Sequence, residues 1–248
     1  TSGSKRSFKW CAGLMEDLTK VPIKGFIKTS FVDWPGKICS VIFFPKCNFR
    51  CCYCHNSELV LKHENLEDID FNSILVRLSG QKNWIDGICI SGGEPTLYSG
   101  LPEVFSIIKK EGFLTKLDTN GTNPEMLKYM VKNRLVDYVA MDVKSPLDEK
   151  DYCKITRAPS MLKSVKESIS FLLEKRVEYE FRFTVLPSHH KKDDIFQLSM
   201  DLNGADKLLI QNVNTSKTVL DSRLHNLKPF TETDIDFFQE RLDKLISR

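Results

Sequence analysis

Phe44-Pro45-Lys46-Cys47-Asn48-Phe49-Arg50-Cys51-Cys52-Tyr53-Cys54-His55-Asn56 is the stretch from which the rest of the chain is read. Cys47, Cys51 and Cys54 stand at C-x3-C-x2-C spacing. Three thiolates from one short loop can wrap one face of a cubane iron–sulfur cluster. A [4Fe–4S] cluster held by three cysteines keeps one iron without a protein ligand, and that iron can bind a small molecule. The same three cysteines with His55 could instead hold structural zinc. Zinc sites more often use two separated ligand pairs that pin distant parts of the chain, and no second pair follows here. Cys52 falls between two ligand positions and points elsewhere.

Immediately before this loop, Ile38 to Phe44 is a continuous apolar, β-branched and aromatic run, the mark of a buried parallel strand. The cysteine loop therefore leaves the C-terminal end of a strand, where α/β sheets and barrels bind their ligands. Upstream, residues 25–37 read as a strand entering a turn at Pro35-Gly36. Residues 8–20 form an amphipathic opening with the pattern of a short helix. Downstream, residues 57–69 are charged and read as a surface connection. Helical and strand patterns then alternate. Helices at 70–80, 101–111, 124–132, 161–175 and 192–201 precede strands at 87–90, 114–117, 138–143, 178–186 and 207–211. A last helix at 231–246 follows capping residues at Thr231 to Asp234. With the first buried strand this makes six βα-type repeats, hence an α/β fold on a parallel sheet with right-handed crossovers.

Several strand ends carry chemistry. Ser91-Gly92-Gly93-Glu94-Pro95 puts two glycines and a carboxylate after the second parallel strand. Glycines there let backbone approach a ligand closely, although the run taken alone reads as a tight turn before a helix. Asp118-Thr119-Asn120-Gly121 follows the next strand, and by itself reads as an Asx-type turn. Asp142 and Lys144 alternate to one side of an extended chain. Arg182 interrupts an apolar strand and needs a charged partner. Asn212 ends the sixth strand. His189 and His190 fall on a polar loop and read as solvated; Cys39 and Cys89 read as inert core residues.

Length and composition set the frame. The chain has 248 residues, of which 41% are hydrophobic, enough for one large domain with a substantial core. A net charge of +3 gives no basic stripe of the kind nucleic acid requires. No run approaches the roughly 18 apolar residues of a membrane span, and the first residues lack the apolar centre of a signal peptide. Eight cysteines, four of them between 47 and 54, fit a metal centre in a reducing cytoplasm rather than a disulfide framework.

The Cys47–Cys54 spacing, with Tyr53 before its last cysteine, resembles the signature of the radical S-adenosylmethionine superfamily. Tyr53-Cys54-His55-Asn56 and Ser30-Phe31-Val32-Asp33-Trp34-Pro35-Gly36-Lys37 resemble its glycyl-radical-enzyme activating branch: the activating proteins of anaerobic ribonucleoside-triphosphate reductase and of pyruvate formate-lyase. The resemblance implies a partial (β/α)6 barrel over residues 25–214, with a lead at 1–24 and a helical extension at 215–248. It implies a [4Fe–4S] cluster on Cys47, Cys51 and Cys54 and S-adenosylmethionine beside it. Tyr53, Gly92, Gly93, Glu94, Asp118, Thr119, Asn120, Asp142, Lys144, Arg182 and Asn212 would contact the cofactor. Glu94 would face its amino group and Asn212 its ribose, and His55 would support the loop. Asp118 and Thr119 could also hold a monovalent cation. The implied partners are a glycyl radical enzyme as protein substrate and flavodoxin or ferredoxin as reductant, with no nucleic acid or membrane. A small-molecule or nucleoside substrate is the alternative. A non-catalytic electron carrier or zinc-stapled module would need four protein ligands. Lys46 departs from the glycine usual before the first cysteine.

Overall fold

The computed structural model describes residues 21–214 and 219–246, so the opening helix expected at 8–20 lies outside the described residues. Seven strands form one sheet in the order β1-β2-β3-β4-β5-β6-β7. They are β1 (Gly25–Ser30), β2 (Cys39–Phe44), β3 (Gly87–Gly92), β4 (Leu114–Thr119), β5 (Tyr138–Asp142), β6 (Glu178–Val185) and β7 (Leu208–Asn212). Strands β2 to β7 run parallel, and β1 pairs antiparallel with β2. The six expected parallel strands are present, and the sheet order does not close on itself, as in a partial barrel.

The outer face is clad in helices: α1 (Ser57–Leu61), α2 (Phe71–Ser79), α3 (Leu101–Lys110), α4 (Pro124–Lys132), α5 (Glu149–Thr156), α6 (Leu162–Leu172), α7 (Lys192–Asp201) and α8 (Glu232–Ile246). Their starts follow from sequence. Asp70 accepts from Ser73 N at 2.8 Å to cap α2, and Asn123 accepts from Met126 N at 3.2 Å to cap α4. Both satisfy donors that a helix leaves unpaired. Apolar stripes such as Val104, Phe105 and Ile108 of α3 are buried in one continuous core with Ile88 and Ile90 of β3.

The inner face alternates with this. Trp34, Cys39, Val41, Cys89, Tyr138 and Ala140 form a separate apolar cluster near the strand starts. Trp34 arrives there from the β1–β2 turn, where Lys37 N donates to Trp34 O at 3.1 Å and Gly36 takes φ +70°. That left-handed position after a proline is the geometry of a type II turn. The indole is 4% exposed and stands 6.0 Å from the Tyr138 ring. Gly87 leaves room for it, because a Cβ there would lie 2.6 Å from the indole.

The extension after 214 is tied to the barrel. Phe238 and Leu242 of α8 are buried, and Gln239 accepts from Ile210 N at 2.9 Å and donates to Leu208 O at 2.7 Å. One side chain thus pairs the backbone of β7, which would otherwise offer an open edge. At the other end, Val21 and Ile23 are already buried in the core.

Three expectations need amendment. The connection at 57–69 contains α1 and a 3-10 turn at His63–Asn65. Helix α5 was not foreseen; Asp148 caps it by accepting from Lys150 N and Asp151 N, but its first turns are too polar to show a periodic stripe. His190 is not solvated. It is 2% exposed, its Nδ1 accepts from Leu186 N at 3.0 Å, and its ring lies 4.7 Å from Phe183. Burial pushes its imidazole down to about 4. Among the described residues no helix is long and apolar enough to cross a membrane.

Trp34→Ala would empty the floor of the inner face. It is expected to destabilise the protein by about 3–5 kcal/mol, read as a lower midpoint in urea unfolding. An unchanged midpoint would show that the floor packing is dispensable.

Candidate active site

The cysteine loop is held by backbone before any side chain acts. Lys46 N donates to Leu59 O, Glu94 N donates to Lys46 O at 2.8 Å, and Gly93 N donates to Phe44 O at 2.8 Å. The end of β2 and the end of β3 are therefore locked together. This is where Gly92 and Gly93 are needed. A Cβ on Gly92, whose φ is +124°, would lie 2.1 Å from Phe44 O, and one on Gly93 would lie 1.7 Å from Lys46 O. The glycines make room for the cysteine loop itself. Lys46 adopts φ +59°, the left-handed region that a residue with a side chain enters at a cost, which explains why a glycine suits this position.

Further ties surround the loop. Arg50 N donates to Thr156 O of α5 at 2.7 Å, and its guanidinium donates to Cys47 O and Phe49 O. Asn56 donates to Gly92 O at 3.0 Å, and His55 Nε2 pairs with Asn214 O at 2.8 Å. Asn48 donates to Thr122 Oγ1 at 2.7 Å and accepts from Asn120 at 2.9 Å.

Cys47, Cys51 and Cys54 line one cavity of roughly 370 Å³, within the usual size range of small-molecule sites. Cys52 is buried but does not line it. Burial pushes the Cys47 thiol up to about 11 and the Cys51 thiol up to about 12, and raises that of Cys54. Such thiols become thiolates at neutral pH when a metal replaces their protons. Among the described residues no three His, Cys, Asp or Glu side chains gather closely enough to hold a single metal ion. Three thiols lining one cavity suit a multi-iron group that keeps one iron free of protein ligands. The Tyr53 hydroxyl, buried on the same cavity wall, has no hydrogen-bond partner among the described residues. A buried hydroxyl ordinarily has one, so the wall fits a polar ligand beside the cluster.

Ser91, Gly92, Gly93, Thr119 and Asn120 continue the lining. Glu94 does not. Its carboxylate is fully buried and accepts from Thr96 N, Thr96 Oγ1, Thr119 Oγ1 and Asn120 N. Expected to face the cofactor's amino group, it instead bolts the β3 loop to the β4 loop. Asn120 also closes the anticipated Asx turn by accepting from Thr122 N at 3.0 Å.

Deeper in the cavity lies a row of charges. Lys116 Nζ pairs with Asp118 Oδ1. Arg182 reaches Asp118 Oδ2 at 3.4 Å and Asp142 Oδ1 at 2.8 Å. Lys144 donates to Asp142 Oδ2 at 2.9 Å, and its Nζ lies 5.9 Å from the Tyr53 ring centre. Burial would raise the Asp118 and Asp142 carboxyls, but Arg182 beside both, together with Lys116 at Asp118 and Lys144 at Asp142, outweighs it and holds them below the usual range. Asn212, expected at the ribose, turns away and donates to Phe230 O at 2.6 Å. Successive residues of a strand face opposite sides, so its neighbour Gln211 lines the cavity instead. Lys116 escaped the sequence reading; its i, i+2 spacing to Asp118 was the available signal.

Two predictions follow from this geometry. Replacing Cys47, Cys51 or Cys54 by Ala should abolish iron incorporation on anaerobic reconstitution, whereas Cys153→Ala should retain it; iron loss in Cys153→Ala would refute the ligand assignment. Lys46→Gly should leave iron content intact and stabilise the fold by up to about 1 kcal/mol in denaturant unfolding. A loss of stability would mean that the lysine side chain itself is required.

The Radical SAM superfamily profile matches residues 41–199. A Methanocaldococcus jannaschii protein that carries the provisional name of glycyl-radical enzyme activating enzyme is 35% identical over 202 residues, covering 77% of this chain and 80% of the relative. The pyruvate formate-lyase-activating enzyme of Staphylococcus aureus is 25% identical over 188 residues, 71% of this chain and 73% of the relative. In fold, the structure of TYW1 with a lysine-pyruvate adduct bound superposes with a TM-score of 0.60 at 17% identity, over 83% of this chain and 73% of that one. The three-cysteine loop, its place at the mouth of an unclosed parallel barrel and these matches lead to one assignment: the chain belongs to the radical SAM superfamily and is an enzyme.

Proposed function

We propose that this radical SAM enzyme installs a glycyl radical on a partner enzyme, such as an anaerobic ribonucleoside-triphosphate reductase. The observation that carries this reading is the 35% identity to the provisionally named activating enzyme, which runs through most of both chains. The fold is compatible with a polypeptide substrate, because the sheet ends at β1 and β7 without closing. Phe31 and Val32, in the run that resembles the activating branch, are 74% and 88% exposed.

The residues present fit a [4Fe–4S] cluster and S-adenosylmethionine. Cys47, Cys51 and Cys54 would hold the cluster. When bound, the pair supplies reductive cleavage of the sulfonium carbon–sulfur bond to methionine and a 5′-deoxyadenosyl radical, which removes a hydrogen atom from the substrate. The chain supplies position. Backbone at Ser91–Gly93 faces the cavity where an amino group can be received. Lys144 and Arg182 set positive charge toward a carboxylate. Asp142 and Asn120 offer polar contacts to a ribose, and the Tyr53 hydroxyl offers the unpaired one. Apolar walls at Phe43 and Val60 help exclude water. A monovalent cation is left out of this scheme, since Asp118 and Thr119 are engaged by other side chains. Flavodoxin or ferredoxin would deliver the electron, and the free thiols suit a reducing cytoplasm.

The test is electron paramagnetic resonance. Reconstituted protein, reductant and S-adenosylmethionine are mixed with glycyl radical enzymes encoded beside it. A glycyl doublet, with one 5′-deoxyadenosine formed per radical, is expected. Cofactor cleavage with no radical on any such partner would overturn the activase reading in favour of a small-molecule substrate.

A further inference from the structure

We propose that Lys116 supplies, from within the chain, the positive charge that a bound monovalent cation would otherwise bring to Asp118, so that this protein binds S-adenosylmethionine without potassium or sodium. The proposal rests on the cofactor site described above and adds a positioning residue to it.

Strand alternation places Lys116 and Asp118 on the same inner face of β4. The Lys116 side chain is 0% exposed. Its ammonium pairs with Asp118 Oδ1, lies 3.9 Å from Cys89 Sγ and sits 5.9 Å from the Tyr138 ring centre. It rests on the apolar floor and reaches upward to one carboxylate. A buried ammonium persists only with such a partner. Burial pulls the group down, but the Asp118 carboxylate outweighs it and holds Lys116 above the usual lysine range.

Both oxygens of each carboxylate are occupied. Asp118 takes Lys116 on one and Arg182 on the other. Asp142 takes Arg182 on one and Lys144 on the other. The row reads Lys116, Asp118, Arg182, Asp142, Lys144, three cations against two carboxylates, a net charge of +1. A free cation here would have to share oxygens already engaged by Lys116, Arg182 and Lys144 and join a group that is already positive. Thr119 is likewise engaged, since its Oγ1 donates to Glu94 at 2.8 Å and accepts from Gly121 N at 3.1 Å. Lys116 does not itself line the cavity, whereas Asp118 does. Lys116 therefore acts through Asp118, holding its carboxylate ionised and aimed beside Arg182.

The experiment uses reconstituted full-length protein in choline, sodium or potassium chloride at constant ionic strength. Calorimetry measures S-adenosylmethionine affinity, and thermal unfolding is followed without the cofactor. Wild-type affinity and Tm should vary by less than about twofold and not at all, respectively, among the salts. Lys116→Met should bind about tenfold more weakly in choline, an ordinary scale for coupling between sites. It should recover in potassium or sodium, with a Tm that rises on adding the cation, as a bound ligand requires. Two results would overturn the proposal: a wild type that loses affinity about tenfold when sodium and potassium are withdrawn, or a folded Lys116→Met indifferent to both cations. Should Lys116→Met fail to fold, the wild-type salt series decides by itself. A wild type that binds no S-adenosylmethionine in any salt sinks the cofactor site instead, while its Tm series still reports on the cation.

Discussion

The hydrogen bond from Glu94 N to Lys46 O, 2.8 Å long, is the tie on which the site depends. It joins the loop after β3 to the loop after β2 so closely that Gly93 has no space for a side chain. Three thiols on one cavity wall, one buried and two partly buried, can be presented together to one group only by a loop that holds them in register. Backbone pairing does this without using any side chain that the cavity needs. The φ of +59° at Lys46 is the local strain that accompanies the tight approach.

Around that tie, side chains divide their labour by depth. Glu94, Thr96, Thr119, Asn120 and Asn48 form a buried network that joins three successive strand-end loops. Every one of these contacts satisfies a polar group that burial would otherwise penalise. Below it, the charged row crosses β4, β6 and β5, and below that the Trp34 cluster closes the floor. The inner face thus changes from apolar to charged to polar toward the mouth. A charged middle layer is expensive unless each charge is paired, and here each has at least one opposite partner.

Much of this was legible in the chain. The Ile38–Phe44 run, the cysteine spacing and the βα alternation were enough for the parallel sheet and for the loop at its C-terminal end. Where side chains lie elsewhere than the local pattern suggests, one cause recurs: that pattern does not say where a polar side chain turns. Glu94 sits beside two glycines at a strand end and reads as a ligand-facing carboxylate, yet four donors from neighbouring loops draw it inward. Asn212 and Gln211 are adjacent, and only the register of β7 against β6, pairing Asn212 with Val185, decides which one faces the cavity. His190 lies in a polar run, but hydrogen bonds back to Leu186 set its ring against Phe183.

From the sequence alone came the candidate ligands, the order of the elements and the family resemblance, because thiol spacing and hydrophobic periodicity are local properties of the chain. Tertiary structure alone decided that Glu94 fastens loops, that Gln211 replaces Asn212 at the cavity, and that Lys116 reaches Asp118 within a row completed by Arg182 and Lys144. Those outcomes depend on which strand lies beside which and on what burial demands of each polar atom, and neither is written in any single stretch of residues.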